Sequence, residues 1–408
     1  MKSVKIAAIM LLAMVLPACS DSDEGKGEGD NSLQPRVEIT LTRSESGTVN
    51  KQNNFGFKML KNVMDNGTNT NVAVSPYSMS QVLAMLANGA KGDVHNEIVG
   101  LLSNAGTNID EINGYYKKLN EGIATTDKTT KIEIVNGLWA AKGYPFTPDF
   151  EKVNTTYYGA IVQSFDTYGD VISYYKKNMS ENISSAVAEV LKNMDEQLVK
   201  DFSLNSTTYF KGIWKNKFNV ENTSSQPFYG ENGAGVAKMM SRSLRCPLYV
   251  GKCSESVQLD YGNGAFSMLV VLPNEGSSVN EALDELCEDG FDAMTCQDNA
   301  FVALKLPRFG YEGNINMLDV LTTLGIKHLK TGNYTGIIGS AAVVDSASQY
   351  MKVTVDEEGT VVKTSTIIGG DIIAPMPEKQ FQVNRPFIWV IKENTAGTIL
   401  FAGKQGAV

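Results

Sequence analysis

Histidine, the residue behind most hydrolytic and zinc chemistry, is scarce in this chain: two residues among 408, His95 and His328. The local neighbours of both favour a solvated surface position. A nucleophilic triad needs a histidine base, and a multi-histidine zinc site needs several imidazoles close together. We therefore predict no catalytic residues, no metal site and no cofactor, and a protein that acts through its surface.

Cysteine offers little more chemistry within the body of the chain. The spacings of Cys246, Cys253, Cys287 and Cys296 match no zinc ribbon or finger. Free thiols and local pairs are equally compatible with these positions. A nucleic-acid partner is also excluded, because 45 acidic against 36 basic residues give a net charge of −9 rather than a basic footprint.

The N-terminal segment has the pattern of an export signal. Lys2 and Lys5 precede an apolar stretch over residues 6–16, which is shorter than the about 20 residues of a permanent transmembrane helix. Leu16, Pro17, Ala18 and Cys19 then resemble a bacterial lipobox. That resemblance implies a signal peptide over residues 1–18, cleavage before Cys19, and acyl chains on Cys19 that anchor the protein to a membrane.

The residues after Cys19 predict a flexible tether, which we extend over residues 19–50. Residues 20–30 contain five acids, one lysine and no apolar residue, so this stretch cannot bury surface. An acidic run directly after a lipidated cysteine resembles the surface-export signal of Bacteroidetes lipoproteins. It implies an envelope lipoprotein on the outer membrane or cell surface of a Gram-negative bacterium. The alternating glycines at 25, 27 and 29 follow no strand and predict no phosphate loop.

Residues 51–408 read as one domain of the α+β class. A helix begins at Ser75, a favoured cap, with Pro76 in the first turn. Buried strands are indicated at 267–272 and 301–306, and a hairpin at 387–391 and 398–401. Helices and strands mix without regular βα alternation, which argues against a doubly wound or barrel fold.

A set of short motifs occurs in one order along this domain. They are NVAVSPYS at 71–78, LAML at 83–86, GAKG at 89–92, NGLW at 136–139, YFKGIW at 209–214, LVVLPNEG at 269–276, EEGT at 357–360, NRPF at 384–387 and FAGK at 401–404. In this order and spacing they resemble the serpin family. The resemblance implies three β-sheets, about nine helices and an exposed reactive-centre loop over residues 357–377, and we expect a monomer.

The resemblance also implies a mechanism. In inhibitory serpins the target serine protease cleaves the loop, forms a covalent acyl complex with it, and is trapped when the freed segment inserts into the large sheet. An inserting strand puts alternate side chains into the core. The core-facing set here is β-branched and uncharged: Thr360, Val362, Thr364, Thr366 and Ile368. The only charge in the stretch, Lys363, falls in the other set. The predicted loop hinge comprises Glu357, Glu358 and Gly359 together with Thr360, Val362, Thr364 and Thr366.

Two features of the loop bear on activity. Val361 and Val362 are bulkier than the alanines that usually follow the hinge, which would slow insertion and favour hydrolysis. The family's spacing places the scissile bond at Ile373–Ala374. If the cleaved bond lies one residue earlier, Ile372 is the residue before it. An aliphatic residue before the bond suits elastase-like or subtilisin-like proteases and not trypsin-like ones.

The resemblance assigns two further sites. At the breach, Glu357 pairs with Arg308 beside Trp214; a surface pair there would contribute only about 0–1 kcal/mol. At the shutter, formed by Ser75, Ser78, Ser206 and Gln349, glutamine stands where many serpins have histidine.

A Gln349 amide can both donate and accept hydrogen bonds, so a latch toward Ser206 remains possible, but it does not titrate. Irreversible inhibition is the leading functional prediction. A non-inhibitory carrier with the same fold is the alternative, and an enzyme with a histidine-free site, such as a carboxylate pair, comes third.

Overall fold

A computed structural model describes residues 34–191, 201–287, 291–295, 297–359 and 379–408. Several predicted site residues therefore lie outside the described residues: the lipidation site Cys19, and the loop residues Thr360, Val362, Thr364, Thr366, Ile372, Ile373 and Ala374. Cys246, Cys253 and Cys287 form no disulfide within the described residues, and Cys296 lies outside them.

Eleven α-helices occur in the described residues: α1 (Arg43–Asn66), α2 (Pro76–Ala87), α3 (Asp93–Leu102), α4 (Ile109–Ile123), α5 (Pro148–Tyr158), α6 (Tyr168–Asn178), α7 (Glu181–Leu191), α8 (Val279–Glu285), α9 (Phe291–Thr295), α10 (Leu318–Thr323) and α11 (Thr335–Ile338). This is two more than the nine expected. None of these described helices is long and apolar enough to cross a membrane.

Fourteen strands occur in the same ranges: β1 (Val72–Val74), β2 (Lys131–Ala141), β3 (Ile161–Phe165), β4 (Phe202–Lys211), β5 (Ser224–Gly230), β6 (Gly233–Val250), β7 (Ser254–Tyr261), β8 (Phe266–Pro273), β9 (Asn299–Pro307), β10 (Phe309–Asn316), β11 (Ser348–Val355), β12 (Lys379–Gln382), β13 (Phe387–Glu393) and β14 (Ile399–Gln405). Together with the helices they confirm the α+β class.

The described strands form three hydrogen-bonded groups. The largest has the order β1-β14-β13-β8-β7-β6-β9-β12, with β5 also paired to β6. A three-stranded group has the order β3-β2-β4, and β10 pairs with β11. The predicted C-terminal hairpin is β13 with β14, antiparallel and buried along both strands.

Helix α1 begins earlier than the predicted start of the domain. Thr42 and Glu45 form a capping box, in which each side chain accepts from the backbone N–H of the other residue. Thr48 and Val49 are buried. Residues 43–50, which were predicted to belong to the tether, are therefore the first turns of a packed helix.

Helix α2 follows its sequence signals closely. Ser75 is the N-cap, its side chain accepts from the Ser78 N–H, and Pro76 occupies the first helical position. Leu83 and Leu86 of this helix are buried. Helix α2 packs against β4 and β14, and this placement brings its N-terminus to the middle of the site described next.

Candidate functional site

A slot separates the three-stranded group from the two-stranded group. Its sides are β4 and β11, each an end strand of its group, and no described strand pairs with either facing edge. The cavity between them has a volume of about 1180 Å³. Unpaired backbone N–H and C=O groups along a strand edge are a template for another strand. The slot therefore offers two unpaired strand edges to an added strand.

The two sides of the slot run in the same direction. Just beyond the end of β4, Trp214 N donates to Glu358 O at 2.8 Å, and Ile213 forms an antiparallel bridge with Gly359 just beyond β11. The carboxyl ends of both strands thus meet at one end of the slot. A strand entering from that end runs antiparallel to both neighbours.

The inner and outer faces of the slot differ in chemistry. The inner face is lined by apolar side chains of α2, β4, β13 and β14: Met79, Val82, Leu83, Leu86, Phe210, Ile391 and Phe401. Helix α7 contacts both β4 and β11 and supplies polar residues such as Glu181 and Asn182. An occupying strand would need apolar or small uncharged side chains on one face and would tolerate polar ones on the other.

A tight turn after β11 reverses the chain at the open end. Asp356 N donates to Gly359 O at 3.0 Å, and Gly359 N donates to Asp356 O at 3.3 Å. This is the bonding of a two-residue hairpin turn, with Glu357 and Glu358 at its corner. Gly359 has φ +145°, and a Cβ there would lie 2.1 Å from Gly212 O. Glycine is therefore required both by the backbone angle and by the close approach.

Glu357 is buried at the corner of this turn and is paired. Its Oε1 accepts from Arg308 Nε at 2.9 Å and lies 2.8 Å from Arg308 Nη2, and it also accepts from the Thr223 hydroxyl. Burial alone would raise the pKa of Glu357, but these hydrogen bonds outweigh it and hold the pKa below its ordinary value. The pair joins the hinge to the end of β9.

Trp214 and Lys217 hold the same corner from the β4 side. Trp214 Nε1 donates to Asp356 O at 2.8 Å, and its ring stacks on Tyr261 with centroids 4.4 Å apart. Lys217 Nζ lies 2.8 Å from Glu358 Oε2. The predicted breach residues Trp214, Arg308 and Glu357 are thus brought together.

We expect Glu357→Gln to destabilise the protein by about 1–2 kcal/mol at neutral pH, because it removes a buried charge-assisted bond while Arg308 stays half-exposed. The folded-state pKa of Glu357 is depressed, so its contribution is present above the unfolded-state pKa and is lost as pH falls through the folded-state value. Denaturant unfolding of both proteins at pH 7 and pH 3 measures the difference.

Glu358→Gln is the matched control, since Glu358 and its partner Lys217 are more exposed than Glu357. We expect an effect below about 0.5 kcal/mol for this control. Equal losses from the two substitutions, or a Glu357→Gln loss that is unchanged at pH 3, would contradict the role given to Glu357.

The middle of the slot is organised differently from the expected latch. Gln349 is buried, and its amide bonds twice to the backbone of Ser75: Ser75 N donates to Oε1 at 2.8 Å, and Nε2 donates to Ser75 O at 2.9 Å. Ser78 Oγ donates to Thr208 Oγ1 on β4 at 3.0 Å. Ser206 Oγ is buried and has no hydrogen-bond partner in the described part of the chain. Gln349 thus fixes the start of α2 and does not bridge to Ser206.

Sequence reasoning missed four residues of this site: Thr208, Thr223, Lys217 and Tyr261. Lys217 follows β4, and Tyr261 is the last residue of β7. Neither has a local sequence pattern that indicates a role at this site. The hydrogen-bond partners of Thr208, Thr223 and Lys217 lie 130 or more residues away along the chain. Only long-range pairing reveals them.

Comparisons with known proteins agree on one family. The model of the Serpin (serine protease inhibitor) family matches residues 50–406. Heparin cofactor 2 of Rattus norvegicus is 27% identical over 370 residues, which cover 86% of this chain and 75% of that protein. Leukocyte elastase inhibitor of Bos taurus is 28% identical over 352 residues, 82% of this chain and 92% of that protein.

Two solved structures share the fold. The Manduca sexta serine protease inhibitor serpin-12 superposes with a TM-score of 0.71 at 24% identity, covering 89% of this chain and 98% of that one. The thermophilic serpin tengpin, in its native state, gives a TM-score of 0.75 at 21% identity, covering 92% of this chain and 97% of that one.

Proposed function

This chain belongs to the serpin family, and we propose that it inhibits serine proteases irreversibly by inserting its own cleaved loop between β4 and β11. The observation that carries the proposal is the slot, with two parallel strands whose facing edges have no partner among the described residues. The chain performs no turnover chemistry in this scheme. It uses the catalytic apparatus of the protease, which remains attached as an acyl complex.

The hinge turn fixes the register that an inserted segment would take. Asp356 opposes Gly359 on the β11 side, and Ile213 opposes Gly359 on the β4 side. In antiparallel pairs each step forward on one strand is a step back on the other. Continuing both ladders sets Val362 opposite Val353 and Phe210, which are both buried.

This register agrees with the parity of the loop sequence. Gln349, Met351, Val353 and Val355 of β11 are buried and alternate with more exposed residues. Opposed residues share a face, so the inward positions of an inserted segment are Thr360, Val362, Thr364 and Thr366, all uncharged. Both ladders give the same inward set, although β4 and β11 fix it independently.

Thr366 would enter the middle of the slot. The register sets it between Gln349 on β11 and Ser206 on β4, whose buried Oγ lacks a partner in the described residues. A threonine hydroxyl can donate to or accept from Ser206 Oγ. Insertion would therefore satisfy a polar atom that is otherwise left unpaired.

Lys363 would face solvent. The register sets it opposite Lys352, which is exposed and lies 2.8 Å from Glu312, and opposite Tyr209 on β4. Because Glu312 offsets the charge of Lys352, a second lysine opposite it on the solvent-facing side is tolerated.

The residue before the scissile bond determines which class of protease cleaves the loop. Ile373 before Ala374, or Ile372 one residue earlier, fits the small apolar pockets of elastase-like or subtilisin-like serine proteases. The named relatives include a leukocyte elastase inhibitor, which supports an elastase-like target.

Titration of a small panel of elastase-like, subtilisin-like and trypsin-like proteases tests the proposal. We expect residual elastase or subtilisin activity to fall with added protein, with an SDS-stable complex and cleavage after Ile373 or Ile372 by mass spectrometry. Trypsin activity should persist. Cleaved loop with fully active protease across the panel would refute inhibition.

That refuting result would favour a non-inhibitory carrier with the same fold. The observation that favours a carrier is the pair of bulky residues after the hinge, Val361 and Val362. Bulky side chains slow insertion relative to small ones.

The N-terminal sequence supports attachment to a membrane. We propose that Cys19 is acylated after removal of residues 1–18, which anchors a monomeric inhibitor on the outer membrane, at the cell surface of a Gram-negative bacterium. Mass spectrometry of the N-terminal peptide tests this, since an acylated Cys19 carries the added mass of its lipid and a Cys19→Ser variant does not.

The rate of loop insertion after acylation should be nearly constant between about pH 5 and pH 8, where histidine is the side chain that ordinarily titrates, whereas acylation itself follows the histidine of the target protease. Gln349 stands at the shutter, and the two histidines lie elsewhere, with His328 against Glu97 and His95 near Ala87 O. Gln349→His should introduce a pH dependence into the insertion step, followed by stopped-flow fluorescence and compared with the acylation rate of the same protease at each pH, with Gln349→Asn as the non-titrating control. A pH dependence of equal size in the unmodified protein would contradict this account.

A further inference from the structure

The first described residues of the chain are fixed on the body. Arg36 Nη1 donates to Gly264 O at 3.2 Å, and Val37 N donates to Thr126 O at 3.3 Å. Ile39 is buried, and its N–H donates to Thr395 Oγ1 at 2.9 Å. The point at which the N-terminal segment joins the body is therefore set by the fold.

That point lies at the end of the slot where the reactive loop begins. Gly264 is in the turn after β7, and in the same turn Gly262 N donates to Ile213 O at 2.8 Å. Ile213 is bridged to Gly359, the last described residue before the loop.

A second route leads to the same end. Thr126 precedes β2, whose first residue, Lys131, pairs with Lys211 at the end of β4. Through both sets of contacts, the residues at which the N-terminal segment joins the body lie next to residues that pair with the hinge or with the end of β4.

The chain between Cys19 and this point is short. Fifteen peptide units connect Cys19 to Gln34 and span at most about 50 Å. A protease of about 200 residues is about 40 Å across, from a radius of gyration of about 16 Å.

We propose that the anchored molecule turns its loop-bearing end toward the lipid surface, so that the length of the tether selects the proteases that reach the loop. The inference rests on the proposed lipid attachment and loop cleavage. Its partner is the membrane itself, and its consequence is that proteases attached to or working close against the same membrane meet the loop more readily than large proteases in solution.

Matched cleavage sites at opposite ends of the slot test this orientation. The recognition sequence of one site-specific endoprotease is inserted after Gly369 in one variant of the full-length acylated protein, and after Ser340 in another. Ser340 is exposed and precedes β11, at the end where Phe202 of β4 contacts Tyr334. Each variant is cut in detergent micelles and on vesicles of phosphatidylethanolamine and phosphatidylglycerol.

We expect vesicle attachment to slow cleavage after Gly369 by about fivefold or more, because a protease about 40 Å across fits between the loop and the lipid only when the fifteen peptide units are almost fully extended. Cleavage after Ser340 should change little. Duplicating residues 20–30 lengthens the tether and should restore much of the lost rate at Gly369. Equal slowing at both positions, greater slowing at Ser340, or failure of the protein to bind vesicles would overturn the inference. Failure of inhibition in the protease panel would leave this cleavage pattern intact.

Discussion

Thr364→Arg is expected to convert the protein from an inhibitor into a substrate. The two ladders set residue 364 on the inward face, between Met351 of β11 and Thr208 of β4, and Met351 is buried. An arginine there would place an unpaired charge against the apolar inner face, at a penalty of several kcal/mol. Each 1.4 kcal/mol added to the insertion barrier slows insertion about tenfold. The acyl intermediate then hydrolyses before the protease is distorted.

The measurement is the stoichiometry of inhibition against an elastase-like protease that the unmodified protein inhibits. We expect the ratio of inhibitor consumed to protease inactivated to rise by more than about tenfold, with loop cleavage unimpaired. Ser365→Arg is the matched control, because the neighbouring position faces solvent beside Thr207 and Tyr350. The same loss from both substitutions would show that the register read from the hinge turn is wrong.

Cleavage of the loop is expected to raise the melting temperature. An inserted segment would pair with both free edges of the slot and cover its apolar inner face, which in the described residues no strand covers. With a net gain of about 5 kcal/mol after the entropy of ordering, and an unfolding entropy of about 2.1 cal/mol/K per residue, the melting temperature rises by about 6 °C. Calorimetry before and after cleavage by a catalytic amount of protease measures the shift.

Cleaved Thr364→Arg is the control for this second result, because its loop is cut but its insertion is opposed. Its melting temperature should remain close to that of the intact protein. An unchanged melting temperature for the cleaved unmodified protein would instead point to the carrier alternative.

Local signals predicted much of the fold. The cap and proline at Ser75 and Pro76, the alternation over β9, and the continuous apolar runs of β8 and β13 each give an element that the structure contains. Propensity and periodicity act within a few residues, so these elements are legible in the sequence. The start of α1 was missed because its first turns are polar and its cap at Thr42 follows a stretch that composition describes as flexible.

The order of the motifs predicted the family, and the pairing of Glu357 with Arg308 followed from that resemblance. The partners of Gln349 were not predictable in the same way. Its amide bonds to a backbone 274 residues distant, and that choice depends on how α2, β11 and β14 pack.

The sequence by itself determined that histidine is scarce, with two residues in 408, and that alternate loop residues share one character. The scarcity of histidine and the parity of the loop are properties of composition and order, which need no tertiary contact. Only the tertiary structure decided that β4 and β11 are parallel, that no strand of the described residues pairs with their facing edges, that Ser206 Oγ has no hydrogen-bond partner among those residues, and that Arg36 binds beside the hinge. Each of these depends on hydrogen bonds between segments far apart in the chain, which local sequence does not encode.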